Sequence, residues 1–122
     1  MSETQSSLAK KKSRPITKGT PPLSKTVIDE MMRSLPGWTN AGGKAIRKAF
    51  KFKDFHGTMK FVNKVADIAN AQDHHPDMEV GYNACVVKFS THSVGGLSEN
   101  DFICAAKVEA ASTGRSARKG SA

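Results

Sequence analysis

The chain has 122 residues, 38% of them hydrophobic, and carries 19 Lys or Arg against 11 Asp or Glu for a formal charge of +8. That length accommodates one domain with a modest core. The sequence holds no apolar run of about 18 residues, so neither a membrane-spanning helix nor a signal peptide is expected, and two cysteines outside any motif suit a reducing, cytoplasmic setting.

The charge is unevenly placed. Residues 1–25 carry six basic side chains against Glu3 alone, residues 112–122 add Arg115, Arg118 and Lys119, and residues 26–111 carry ten of each sign. Residues 1–22 and 112–122 are therefore expected to be disordered basic tails around a domain at 23–111. A domain without net charge argues against nucleic-acid binding by its folded surface. Lys10-Lys11-Lys12-Ser13-Arg14-Pro15 has the composition of a nuclear import signal, so a nuclear location stands beside the cytoplasmic one.

Leu23 to Leu35 reads as a first helix, with Ser24 as N-cap and Val27, Ile28, Met31, Met32 and Leu35 at helical spacing; Pro36-Gly37 stops it. Trp38 opens a short strand, Asn40-Ala41-Gly42-Gly43 turns the chain, and Ala45 to Lys53 forms a second strand with Ile46, Phe50 and Phe52 on one face. Trp38 is expected in the core rather than as a stacking platform. Asp54 caps a long helix running through about Gln72, with Phe55, Met59, Val62, Ala66 and Ala69 along its apolar stripe. Met78, Val80 and Tyr82 alternate with Asp77, Glu79 and Gly81, Asn83-Ala84 signals a turn, and Cys85 to Thr91 is rich in strand formers. A last helix starts at Leu97-Ser98-Glu99-Asn100-Asp101-Phe102, where Ser98 caps, Asp101 caps in return, and Leu97 with Phe102 forms a staple. The predicted order is α-β-β-α-β-β-α, an α+β fold with a four-stranded antiparallel sheet and three helices on one face. Association into oligomers would cover its open edge.

Asp73-His74-His75-Pro76 precedes this second hairpin and Thr91-His92 follows it. A two-residue turn at 83 and 84 sets 82 opposite 85, 80 opposite 87 and 78 opposite 89, and so brings His75 to His92 with Cβ atoms about 5 Å apart. Clustered imidazoles, each titrating near pH 6.5, suit proton donation and acceptance at neutral pH. A metal site is disfavoured because the consecutive His74 and His75 diverge and no further ligand motif completes a shell. Cys85 and Cys104 read as small apolar residues rather than nucleophiles.

Leu35-Pro36-Gly37-Trp38, Phe50-Lys51-Phe52-Lys53-Asp54-Phe55, Asp73-His74-His75-Pro76 with Tyr82-Asn83, and Ser90-Thr91-His92 with Gly96-Leu97-Ser98 and Asp101 together resemble the pterin-4a-carbinolamine dehydratases over about residues 23–111. The resemblance implies dehydration of 4a-hydroxytetrahydropterin to quinonoid dihydropterin in tetrahydrobiopterin recycling, with no metal or organic cofactor. By the same resemblance, His74 and His92 carry the proton transfers and His75 orients or shares them. Asp73, Pro76, Ser90, Thr91 and Ser93 bind the pterin, and Asn70 and Asp101 stand behind the site. Members often have a charged residue where this chain has Asn70. The family also implies a homodimer or homotetramer, and animal members serve as dimerisation partners of a homeodomain transcription factor, which is the alternative role.

Overall fold

The computed structural model describes residues 3–16 and 19–112. From residue 25 onward the elements are α2 (Lys25–Arg33), β1 (Thr39–Ala41), β2 (Ala45–Lys51), α3 (Phe55–Gln72), β3 (Asp77–Val80), β4 (Ala84–Phe89), a 3-10 turn at His92–Val94, and α4 (Glu99–Ala110). Their order is the expected one. Local chemistry explains the boundaries: Ser24 Oγ accepts from the Val27 N–H at 3.3 Å, and Asp54 Oδ1 from the Gly57 N–H at 2.9 Å, each satisfying an orphan donor of a first helical turn. Between β1 and β2 the chain reverses through Gly42 and Gly43, at φ +65° and +75°, while Asn40 Oδ1 accepts from the Gly43 N–H.

The four strands form one antiparallel sheet in the order β1-β2-β4-β3. Ile46 and Phe50 of β2 join Cys85, Val87 and Phe89 of β4 in the core, together with Phe61 and Val65 of α3 and Phe102 and Ile103 of α4. The alternate residues Arg47, Ala49, Lys51 and Lys88 are exposed, which is the period-2 pattern of a sheet covered on one side. Trp38 is buried as expected, lying 6.2 Å from Phe89 and 6.0 Å from Phe50 between ring centroids, and its indole N–H donates to Glu109 Oε1 at 2.9 Å. Lys48 pairs with the same carboxylate and lies over the Phe50 ring.

One expectation fails at the N-terminus. Within the predicted tail 1–22, Glu3–Lys10 forms a helix, α1, packed on α4. Leu8 is buried in the main core cluster, Gln5 Nε2 donates to Ser34 O, and Lys107 Nζ donates to Ala9 O. Beyond the helix, Lys11 pairs with Glu99, and Asn100 exchanges two hydrogen bonds with the Arg14 backbone. Eight residues are too few to hold a helix in water; docking onto α4 supplies the stability that a composition count could not register. With α1 on one side and the sheet on the other, α4 is buried almost all round. The expected C-terminal tail, apart from Ser112, lies outside the described residues.

A second correction concerns the register of the second hairpin. Val80 faces Cys85, Met78 faces Val87 and Asp77 faces Lys88, and Gly81 N–H donates to Ala84 O, so the turn lies at Tyr82-Asn83. Pairing is thus displaced by two residues from the sequence arithmetic and ends before either histidine. The cause is tertiary: Phe52 N–H takes the Asn83 carbonyl at 2.8 Å, extending the β2–β4 ladder into the turn, and Thr58 Oγ1 of α3 takes the Tyr82 carbonyl at 2.9 Å.

Candidate active site

Helix α3 ends at Asp73, which adopts the left-handed conformation at φ +52°, ψ +44° and is the one non-glycine residue with positive φ among the described residues. Asp tolerates this region better than most side chains because its short carboxylate can bond locally. The reversal lets the His74 N–H return to Ala69 O at 3.1 Å. It also carries the His74 ring inward, parallel to Phe89 within 11° at 6.1 Å between centroids.

His74 Nε2 lies 2.6 Å from Asp101 Oδ1. Asp101 is fully buried, and its Oδ2 accepts from Thr91 Oγ1 at 2.8 Å and from the Ser98 N–H at 2.9 Å. Because the Thr91 proton is committed to the carboxylate, the 2.7 Å contact between Thr91 and Ser98 hydroxyls is a donation from Ser98. An ionised carboxylate only accepts, so His74 Nε2 carries a proton, and a neutral ring then has its lone pair on Nδ1. Asp101 therefore closes the N-terminus of α4 and orients His74 at the same time. The capping pattern in the sequence pointed to the first task, and the family resemblance placed Asp101 behind the site without naming His74 as its partner.

His75 points elsewhere. Its Nε2 is 3.1 Å from Asn70 Oδ1, five residues back on α3, and both side chains are exposed. His92 is also exposed, in the 3-10 turn immediately after Thr91. His74 and His92 are thus joined through Asp101 and Thr91, not through paired strands. Ser90, Thr91 and His92 line a cleft of about 310 Å³ at the end of the sheet, whereas Asp73, His74, His75, Pro76 and Ser93 are not part of its lining. Larger hollows of about 560 and 570 Å³ occur elsewhere, but neither contains a histidine.

Sequence reading missed three charged residues of this cleft: Lys44, Asp77 and Lys88. The alternation of β4 could have found Lys88, which shares the outward face with Ser90; Lys44 arrives from a turn remote in sequence. Cys85 and Cys104 are both buried. Burial first, and then Asp101, push the Cys104 thiol up to about 12, with Lys107 and Ser13 drawing it down. Among the described residues, no group of three His, Cys, Asp or Glu side chains is arranged to hold a metal ion.

The sequence profile described as pterin 4 alpha carbinolamine dehydratase matches residues 21–111, about three quarters of the chain. This chain belongs to that family. A relative from Nitrosospira multiformis, provisionally named pterin-4-alpha-carbinolamine dehydratase, is 54% identical over 109 residues, covering 89% of this chain and 96% of its own. One from Bdellovibrio bacteriovorus under the same name is 49% identical over 110 residues, covering 87% and 88%. A crystal structure from Brucella melitensis, named transcriptional coactivator/pterin dehydratase, superposes with a TM-score of 0.69 at 38% identity, over 72% of this chain and 95% of that one. The pterin-4a-carbinolamine dehydratases are hydro-lyases, and the partly buried His74 and its buried partner Asp101 come from two of the segments that carry the resemblance, with Thr91, next to His92 in the chain, bonded to the same carboxylate. No helix among the described residues is long and apolar enough to cross a membrane.

Proposed function

We propose that this protein dehydrates 4a-hydroxytetrahydropterins to quinonoid dihydropterin and water, as a step of tetrahydrobiopterin recycling in the cytoplasm. The observation that carries this reading is the histidine held by a buried carboxylate, linked through Thr91 to a second histidine exposed in a cleft. In the reaction an acid protonates the C4a hydroxyl, the C4a–O bond breaks, and water leaves. A base takes the proton of the adjacent ring nitrogen, whose electron pair becomes the new C=N bond. His92, facing solvent, is the donor; His74 accepts at Nδ1, since Asp101 occupies its Nε2. Each positioned transfer is worth about 10² to 10⁴ in rate. Asp101 acts through His74 as a positioning residue. Ser90 and Thr91 bind the pterin in the cleft, Asp73, Pro76 and Ser93 border it, and His75 with its partner Asn70 supports the site from outside.

The protein assembles as a homodimer or homotetramer. Strand β3 is an edge of the sheet, and Val80, Tyr82 and Phe55 are 45%, 66% and 48% exposed beside it, with the two rings stacked at 6.4 Å. Such an edge with exposed apolar side chains favours partner binding over isolation.

The test is the decay of freshly generated 4a-hydroxytetrahydropterin, followed by ultraviolet absorbance with the parent protein and with His74→Ala and His92→Ala. Acceleration by the parent that both variants lose supports the reading; a folded parent that gives no acceleration refutes it. The coactivator half of the Brucella protein's name favours one second reading, a dimerisation partner of a transcription factor. The double variant separates the two, because partner binding would survive it and dehydration would not.

A further inference from the structure

The His74–Asp101 pair joins two helix ends. His74 follows the C-terminus of α3 by two residues, and Asp101 stands in the first turn of α4. Their 2.6 Å contact lasts only while those ends keep their separation, because a hydrogen bond weakens steeply as donor and acceptor part or tilt. Each partner is fixed to its own element: His74 N–H bonds back to Ala69 O, and Asp101 takes the Ser98 N–H. A second tie between the two ends is the segment that leaves α1.

Past Lys10 the chain runs across both ends. Ser13 N–H donates to Gln72 Oε1 at 2.8 Å, and Gln72 is the last residue of α3. The next residue, Arg14, donates its N–H to Asn100 Oδ1 at 3.0 Å and accepts from Asn100 Nδ2 at 2.7 Å. Asn100 directly precedes Asp101 and is 6% exposed. Consecutive Cα atoms lie about 3.8 Å apart, so two neighbouring residues staple the end of α3 to the start of α4 beside the pair itself. A carboxamide suits position 100 because it accepts and donates at once, matching both the N–H and the carbonyl of Arg14. All three bonds use the main chain of Ser13 and Arg14, so they do not depend on the basic side chains of this stretch. The Lys11–Glu99 pair alongside is solvent-exposed and adds little. Upstream the segment is anchored by α1, through Leu8 in the core cluster, Gln5 on Ser34 O and Lys107 on Ala9 O.

We infer that residues 11–14 are a strap that sets the geometry of the His74–Asp101 pair, with Gln72 and Asn100 as its positioning residues. This rests on the dehydratase reading and deepens it: the strap fixes the angle at which Asp101 presents the His74 ring, and so its Nδ1, to the substrate. It does so from a stretch that precedes residues 21–111 of the family profile. Neither Gln72 nor Asn100 lines the His92 cleft, so loosening the strap lowers turnover and leaves pterin binding in place.

The experiment makes Asn100→Ala and Gln72→Ala in the full chain and compares each with the parent at a temperature where circular dichroism shows all three folded. Decay of the 4a-carbinolamine of 6-methyltetrahydropterin gives kcat and KM. Nuclear magnetic resonance of isotope-labelled histidine gives the position of the His74 Nε2 proton, which lies far downfield while the bond to Asp101 is short. Asn100→Ala is expected to lower kcat about tenfold with KM within about twofold, and to move that proton upfield. Gln72→Ala, which removes one bond instead of two, should act in the same direction by about threefold, and it carries the test if Asn100→Ala does not fold. Variants that shift only the urea midpoint, with kcat and the proton unchanged, overturn the inference and leave the dehydratase reading intact, as does a rise in KM at unchanged kcat. A folded parent that accelerates no carbinolamine decay refutes the dehydratase reading itself; the proton alone then decides the strap, an upfield move upholding its hold on His74 and an unchanged position overturning it.

Discussion

Replacing Asp101 by Asn changes one buried atom and should disturb both stability and chemistry. The carboxylate takes three donors: His74 Nε2 at 2.6 Å, Thr91 Oγ1 at 2.8 Å and Ser98 N at 2.9 Å. Hydrogen bonds to a charged partner are worth about 1.5–3 kcal/mol each against about 0.5–1.5 for neutral ones. An amide whose oxygen keeps Thr91 and Ser98 therefore loses about 1 kcal/mol on each. Its NH₂ then meets His74 Nε2, a donor facing a donor. Either that contact stays unmade, at about 1–3 kcal/mol, or the imidazole changes tautomer. Relief of the buried charge offsets part of the total, so a net loss of about 2–4 kcal/mol is expected in urea unfolding. The tautomer change moves the proton to Nδ1 and abolishes the base there, so acceleration of carbinolamine decay should fall by about 10² or more. Thr91→Val is the comparison: it removes one donor to Asp101, leaves the His74 contact, and should cost about 1–2 kcal/mol without changing the tautomer. An Asp101→Asn protein within about 0.5 kcal/mol of the parent and within twofold in rate would refute the assignment of His74 to this carboxylate.

Truncating Leu8 to Ala should cost about 2 kcal/mol, the low end for a buried leucine, because one side chain anchors a short helix that can partly settle into the gap; equal urea midpoints would show that α1 does not dock on α4. Burial raises both cysteine thiols, Cys104 to about 12, so at pH 8 each remains protonated and shielded. Iodoacetamide should leave both unmodified in the folded protein and label both in urea, with mass spectrometry as the readout; rapid labelling of folded Cys104 would contradict its packing.

Local chemistry was legible along the chain. Ser24 and Asp54 start helices where their short polar side chains meet free N–H groups, and Asp101 returns the Ser98 N–H at the head of α4. Strand patterning set Ile46, Phe50 and Phe52 on one face, of which Ile46 and Phe50 are buried and Phe52 partly so. The histidine motifs were equally visible, and their spacing carried the family resemblance that the profile match later matched over nearly the same residues. These features depend on neighbours within about one helical turn or one strand, which is the range over which sequence alone constrains conformation. Register, docking and partnership lay beyond that range. The second hairpin turns at Tyr82-Asn83 because Phe52 and Thr58, from two other elements, take those carbonyls. Glu3–Lys10 is helical because α4 offers a surface for Leu8, and Lys44 joins the lining of the His92 cleft from the turn between β1 and β2. His74 meets Asp101 rather than His92 because a left-handed Asp73 turns the chain into the core. In each case the deciding interaction joins groups far apart in sequence, whose free energy exists only once the chain has brought them together.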